Sequence, residues 1–284
     1  MSEASTFEHL LRRDRTITLI GLAALCALAW FYVALGAGLG MSATQMTTLA
    51  LFPHKHADPM LSMPGMDMGA TALGGPAWGF TIWVLVITMW WVMMIAMMMP
   101  SAAPAILLYA QVHRRALAQV QIQDRLAPTW AFAAAYLCAW LGFAVVAAAL
   151  HWALQRAELV SAMMMNSQSR WLSGVVLMAA GLYQFSPLKT ICVTHCRTPA
   201  AFLTRHWRPH VLGALRLGAM HAAYCVACCW ILMALLFVGG VMNLVWIAAL
   251  SLLVLIEKCL PGGQWIGRGT GIVLIVWGIA TLLV

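Results

Sequence analysis

Apolar positions run through most of this chain in long blocks, separated by short groups of charged or turn-forming residues. The blocks are too long for the strands of a membrane barrel and lack the alternation such strands need. About 20 apolar residues suffice for a helix to cross a bilayer. The pattern predicts seven such helices, near residues 16–40, 78–108, 129–153, 168–186, 211–237, 241–258 and 265–284. The expected fold class is therefore all-α: a polytopic transmembrane helical bundle of about seven spans, forming one integral membrane domain over residues 1–284. No internal repeat and no soluble domain interrupts it. The first span exceeds an ordinary signal peptide and lacks a convincing cleavage site after it, so it is expected to remain as an anchor.

Composition agrees. The chain is 63% hydrophobic and 8% charged, with a mean hydropathy of +0.88, whereas soluble domains carry about 25% charged residues. The net charge of +8 bears on topology. Basic residues gather in alternate loops and the span ends beside them: Arg12, Arg13 and Arg15; Arg114, Arg115 and Arg125; Lys189, Arg197, Arg205, Arg208 and Arg216; then Lys258 and Arg268. The other loops hold Lys55, Arg156 and Arg170. The positive-inside rule then places the N-terminus in the cytoplasm and the C-terminus outside. Residues 41–77 become an extracytoplasmic loop and residues 187–210 a cytoplasmic one. No nucleic-acid partner is expected, because the charges are split among separate loops. The partner surface is the lipid bilayer, in a bacterial inner membrane.

Against this apolar background, residues 221–233 (HAAYCVACCWILM) stand out. On a helix, His221, Cys225 and Cys228 fall within an arc of roughly 60°, with Cys229 beside it. Polar groups at this depth are expensive and need a partner or a function. Thiolate, imidazole and thioether are the donors preferred by soft metals, Cu(I) above all. One helix cannot wrap a single ion with all four residues, since His221 and Cys229 are about 12 Å apart along the axis. The expected site uses two or three of them and a Met or His from another helix. Cys26 and Cys138 are read as buried apolar fillers.

Methionine gives a second signal, with 20 residues in the chain. The 41–77 loop contains HKHADPMLSMPGMDM, in which His54, His56, Met60, Met63, Met66 and Met68 cluster among Pro and Gly. Thioethers bind Cu(I) without deprotonation, so such a loop can work where thiols would be oxidised. The second span carries MWWVMMIAMMMPSAAP. There Met89, Met93 and Met97 form a stripe, flanked by Met94 and Met98. Core packing explains such a stripe as readily as metal binding, and Met89 and Met93 are kept as possible helpers. Pro100 and Pro104 should kink or open the helix and free backbone carbonyls.

A third cluster lies in SPLKTICVTHCRTP, residues 186–199. If helical, Cys192, His195 and Cys196 share a face and suit a metal handoff on the cytoplasmic side. The spacing is not that of a c-type haem motif. His206 and His210 follow in the same basic stretch, and His151 with Met163, Met164 and Met165 could join the outer ligands.

Several of these segments together resemble a known family. They are WWVMMIAMMMPSAAP from Trp90, YQFSPLK from Tyr183, CVTHCRTP from Cys192, FLTRHWR from Phe202, CVACCWILM from Cys225 and FVGGVMN from Phe237, with the pair Glu257 and Lys258. The resemblance is to the bacterial predicted metal-binding integral membrane proteins and covers most of residues 85–261. It implies a role in copper delivery, since one member accompanies a melanin-forming tyrosinase and is thought to supply its copper. The chain departs from the family pattern at Ala222, where the family has Gly; this bears on helix packing and not on the ligands.

The sequence thus points to a membrane protein that binds Cu(I) and passes it to a copper-dependent enzyme or metallochaperone, or across the bilayer. Capture would fall to the His/Met loop, holding to His221, Cys225, Cys228 and Cys229, and release or receipt to Cys192, His195 and Cys196. The chain has no P-loop and no phosphorylation-type ATPase domain, so ATP does not drive it directly. Other roles stay open: uptake of mercury or another soft metal, a membrane oxidoreductase using Cys228 and Cys229 or a bound metal, and a structural subunit of a copper enzyme. No carboxylate is expected inside a span, which counts against the oxidoreductase.

Overall fold

The computed structural model describes residues 2–37, 43–44, 47, 78–120, 127–161, 165–206 and 210–283. All named elements are helices. They are α1 (Ser2–Ala34), α2 (Phe80–Val120), α3 (Ala127–Arg156), α4 (Arg170–Tyr183), α5 (Pro187–Arg197), α6 (Pro199–His206), α7 (His210–Ala234), α8 (Leu236–Gly239), α9 (Leu244–Cys259) and α10 (Gly263–Leu283). The expected His/Met loop lies almost wholly outside the described residues.

Five stretches are long and apolar enough to cross a membrane: Thr16–Ala34, Phe80–Arg114, Pro128–Arg156, His210–Gly239 and Gly263–Leu283. The α4 and α5 helices meet that standard only together, and a bend of 63° separates them. The sequence had one straight span over 168–186 and a loop after it. Instead the helix breaks at Gln184–Ser186 and resumes. Ser186 caps the new helix by accepting from the Leu188 N–H, and Pro187 fills its first position, a start signal that hydropathy cannot register. The α9 helix, at 16 residues, rises only about 24 Å and falls short of a bilayer core of about 30 Å.

The α2 helix is the hub, and α1, α3 and α9 all pack on it. Pro100 and Pro104 lie inside it, and the helix continues through both. Pro100 lacks the N–H that would bond the Ala96 carbonyl. Trp30 of α1 supplies the missing donor, its indole Nε1 lying 3.1 Å from Ala96 O. The next two carbonyls are also met from neighbouring helices. Ser251 Oγ of α9 donates to Met97 O at 3.3 Å, and Tyr136 of α3 donates to Met98 O at 3.3 Å. The helices are thus joined by bonds to a backbone that proline opens.

Small residues set the other close crossings. A Cβ on Gly218 of α7 would lie 2.3 Å from the Phe132 carbonyl oxygen of α3. Ala222, one turn on, is fully buried. Between α4 and α10, Gly174 faces Gly278 and Gly181 faces Gly271, each against the other's carbonyl. Large apolar residues such as Leu28, Phe31, Val146, Val175, Val273 and Val276 face outward.

Candidate metal centre

The break between α4 and α5 changes what the third cysteine cluster does. The α5 helix is not a free loop; it packs along α7 and also touches α9. Tyr183, at the end of α4, fixes the turn by donating to Ala227 O of α7 at 2.5 Å. Cys192 and Val193 are buried, while His195 stacks on Tyr224 with ring centroids 4.4 Å apart. Cys196 then comes beside the α7 thiols, close enough to interact with Cys225 and Cys228. Two clusters that the sequence assigned to different places thus form one.

Cys225 is the centre of this group. Lys258 Nζ of α9 lies 2.9 Å from its sulfur, and the Tyr136 hydroxyl of α3 lies 3.1 Å from it. The Cys225 carbonyl oxygen receives two more thiols of the same helix, Cys228 at 3.0 Å and Cys229 at 2.9 Å. Cys229 Sγ also lies 3.8 Å from Met98 Sδ of α2. Cys225, Cys228 and Cys229 are each 1% exposed and Lys258 is 6% exposed, so the ammonium and the sulfur face each other out of water. A buried ammonium needs an opposite charge nearby. The Cys225 sulfur is the atom placed at contact distance to supply it as a thiolate.

A second buried pair sits one residue away. Glu257 Oε2 accepts from Lys189 Nζ of α5 at 2.7 Å, and Gln184 bridges both groups. Adjacent residues at the end of α9 therefore grip different helices: Glu257 holds α5 through Lys189, and Lys258 holds α7 through Cys225. Glu257 is 4% exposed, a buried carboxylate at the end of α9 next in sequence to the lysine that meets Cys225. Gly267 of α10 allows this, since a Cβ there would lie 2.9 Å from Glu257 Oε1.

His221 is buried on α7 one turn before Cys225, among the rings of Phe132, Tyr136 and Phe202. Met89 and Met93 are buried in the core on α2, while Met98 is the methionine whose sulfur meets a thiol. His54, His56, Met60, Met63, Met66 and Met68 lie outside the described residues, as do Met163 and Met164. Sequence reasoning did not single out Tyr136, Met98 or Lys258 as site residues. Only Lys258 carried a usable signal, as a charge at the end of an apolar run.

Among the described residues, no group of three or more His, Cys, Asp or Glu stands ready to hold a metal ion. The closed tetrahedral set of a structural zinc site is thus not formed there. What the cluster offers is sulfur: thiols from two helices and one thioether, the donors that soft ions prefer. Cys228 and Cys229 must first turn away from the Cys225 carbonyl to bind. The family model PpoB2, described as a copper chaperone, matches residues 87–281.

The chain belongs to the copper chaperone family. The matched stretch of this copper chaperone runs from α2 into α10 and includes every residue of the thiol cluster. Its α1 helix and the His/Met segment lie outside the match. No curated protein and no solved structure matches the chain.

Proposed function

We propose that this copper chaperone is embedded in the bacterial inner membrane, holds Cu(I) at the Cys196–Cys225–Cys228–Cys229 cluster and delivers it to a copper-dependent enzyme. The observation that carries the reading is the Lys258 ammonium against the Cys225 sulfur within a group of thiols. Cu(I) held by a pair of thiolates carries one net negative charge. One buried ammonium balances it. Hg(II) with the same pair is already neutral and would leave Lys258 without a counter-charge, which favours copper over mercury.

In this reading the N-terminus is cytoplasmic and the C-terminus outside, following the basic residues. The α4–α5 pair acts as one broken span, and α9, though short, is the seventh crossing that puts the termini on opposite sides. Irregular backbone at such depth is tolerated where protein buries it. His54, His56 and the four methionines of the loop capture copper outside. His195 and Cys192 stand beside the thiols, where the receiving partner would draw the ion off.

The test is metal analysis of the full chain purified without added metal, beside a variant carrying Cys225→Ser and Cys229→Ser. A hydroxyl is nearly the size of a thiol but a poor donor to a soft ion. The wild type should carry copper, and the variant should insert normally and lose the bundle-bound share. Enzyme activity downstream should fall at limiting copper and recover with excess. Full metal content and full enzyme activity at limiting copper in the variant would overturn the reading.

A further inference from the structure

The contact between Met98 and Cys229 joins the thiol cluster to a second set of sulfur donors on α2. Met94 lies one helical turn before Met98, with Cβ atoms about 5–6 Å apart at that spacing. Both methionines are fully buried. One turn further sits Trp90, whose indole N–H points to His151 Nδ1 at 3.5 Å and whose ring packs on Phe237 at 5.2 Å. Trp90, Met94 and Met98 thus occupy one face of α2, ending at Cys229. The row favoured by the sequence, Met89–Met93–Met97, is rotated away from it by the intervening 100° per residue.

We infer that Met94 and Met98 form a soft-ion station on the way to the thiols, so that copper reaches Cys229 from the end of the bundle where α2 begins. This rests on the copper-holding reading above and adds the route. A bare cation in an apolar core is prohibitively expensive. Thioethers solve this without adding charge or needing deprotonation. The aromatic face of Trp90 offers a cation contact at the start of the row. Passage is exchange of one sulfur donor for the next. Copper stays Cu(I), so no electron moves; the copper–thioether bond to Met98 breaks as a copper–thiolate bond to Cys229 forms, and the proton of Cys229 passes to the Cys225 thiolate one turn away on α7.

The experiment uses the full chain in lipid vesicles oriented with the start of α2 outward, with Cu(I) supplied only outside. The ultraviolet absorbance of copper–thiolate bonds reports filling of the cluster. Met98→Leu and Met94→Leu conserve volume, and Met99→Leu, on a different face of α2, is the packing control. The two row variants should fill about tenfold more slowly than wild type, equivalent to one lost stabilising contact at the barrier, and Met94→Leu, which lies outside the thiol cluster, should reach the same final absorbance. Met99→Leu should fill like wild type. Wild-type rates in Met98→Leu would overturn the route while leaving the thiol site standing. A slowing as large in Met99→Leu would also overturn it, by showing that packing and not sulfur sets the rate. Failure of wild type to develop thiolate absorbance even in detergent would instead bring down the copper-holding reading, and the route with it.

Discussion

Lys258→Met separates the charge of the centre from its shape. The side chain is 6% exposed and its ammonium stands 2.9 Å from the Cys225 sulfur. At an effective dielectric constant of 20, that separation corresponds to about 6 kcal/mol of attraction to a thiolate. Copper placed among the sulfurs spreads and partly shields the charge, so about half of this is assigned to the bound state. A loss of about 3 kcal/mol weakens Kd by somewhat over a hundredfold. The copper-free protein has an escape that the bound form lacks: Cys225 can take up a proton and become a neutral thiol beside Met. Its thermal midpoint should therefore move by no more than a few degrees. The assay is competition for Cu(I) against a chromophoric chelator in detergent, with thermal unfolding of the copper-free protein alongside and Lys258→Arg as the charge-keeping comparison. Hg(II) affinity should change far less than Cu(I) affinity. A Lys258→Met protein that holds Cu(I) within threefold of wild type would refute the charge-balance argument.

Gly218→Val drives a Cβ into the Phe132 carbonyl oxygen, 2.3 Å away; overpacking of this kind costs about 1–3 kcal/mol or more, and a lower unfolding midpoint with loss of copper binding is expected as Tyr136 and Cys225 are forced apart. Trp30→Phe removes the donor to the Ala96 carbonyl that Pro100 leaves open, and should destabilise by about 1–2 kcal/mol without altering copper affinity, measured by the same unfolding and competition assays. A peptide covering residues 52–69 should bind Cu(I) far more tightly than Zn(II) in a calorimetric titration, because neutral thioethers gain little from the harder ion; equal affinities would remove the argument from the methionine cluster.

Much of this was legible in the sequence, at the level of residue types. The apolar blocks gave the helices because their composition is extreme. The histidine and cysteines of α7 stood out because lipid-crossing segments seldom carry them. What could not be read was which elements meet. The bend after Tyr183 turns α5 back against α7, and only that turn brings Cys196 to Cys225. Hydropathy over 168–186 averages across the break, although Ser186 and Pro187 do mark a new helix start. A helix rich in Met on several sides offers no periodicity by which to choose a methionine row; that Met98 meets Cys229 follows from where α7 lies. Tyr136 is one aromatic among many in α3 until its hydroxyl is found beside a sulfur. Lys258 looked like a topology charge at a span end, and its approach to Cys225 shows only once α9 is set against α7.

The contributors to the centre arrive in a fixed order during synthesis. Met98, Tyr136, Cys196 and the α7 thiols are all made before α9 supplies Lys258. Until then the growing chain has no ammonium facing Cys225 to balance negative charge on the sulfurs, and α5 lacks the Glu257 grip that seats it. The centre is thus completed late in translation. A ribosome that stalls before α9 releases a chain with its thiols but without the ammonium that faces Cys225 or the carboxylate that holds α5.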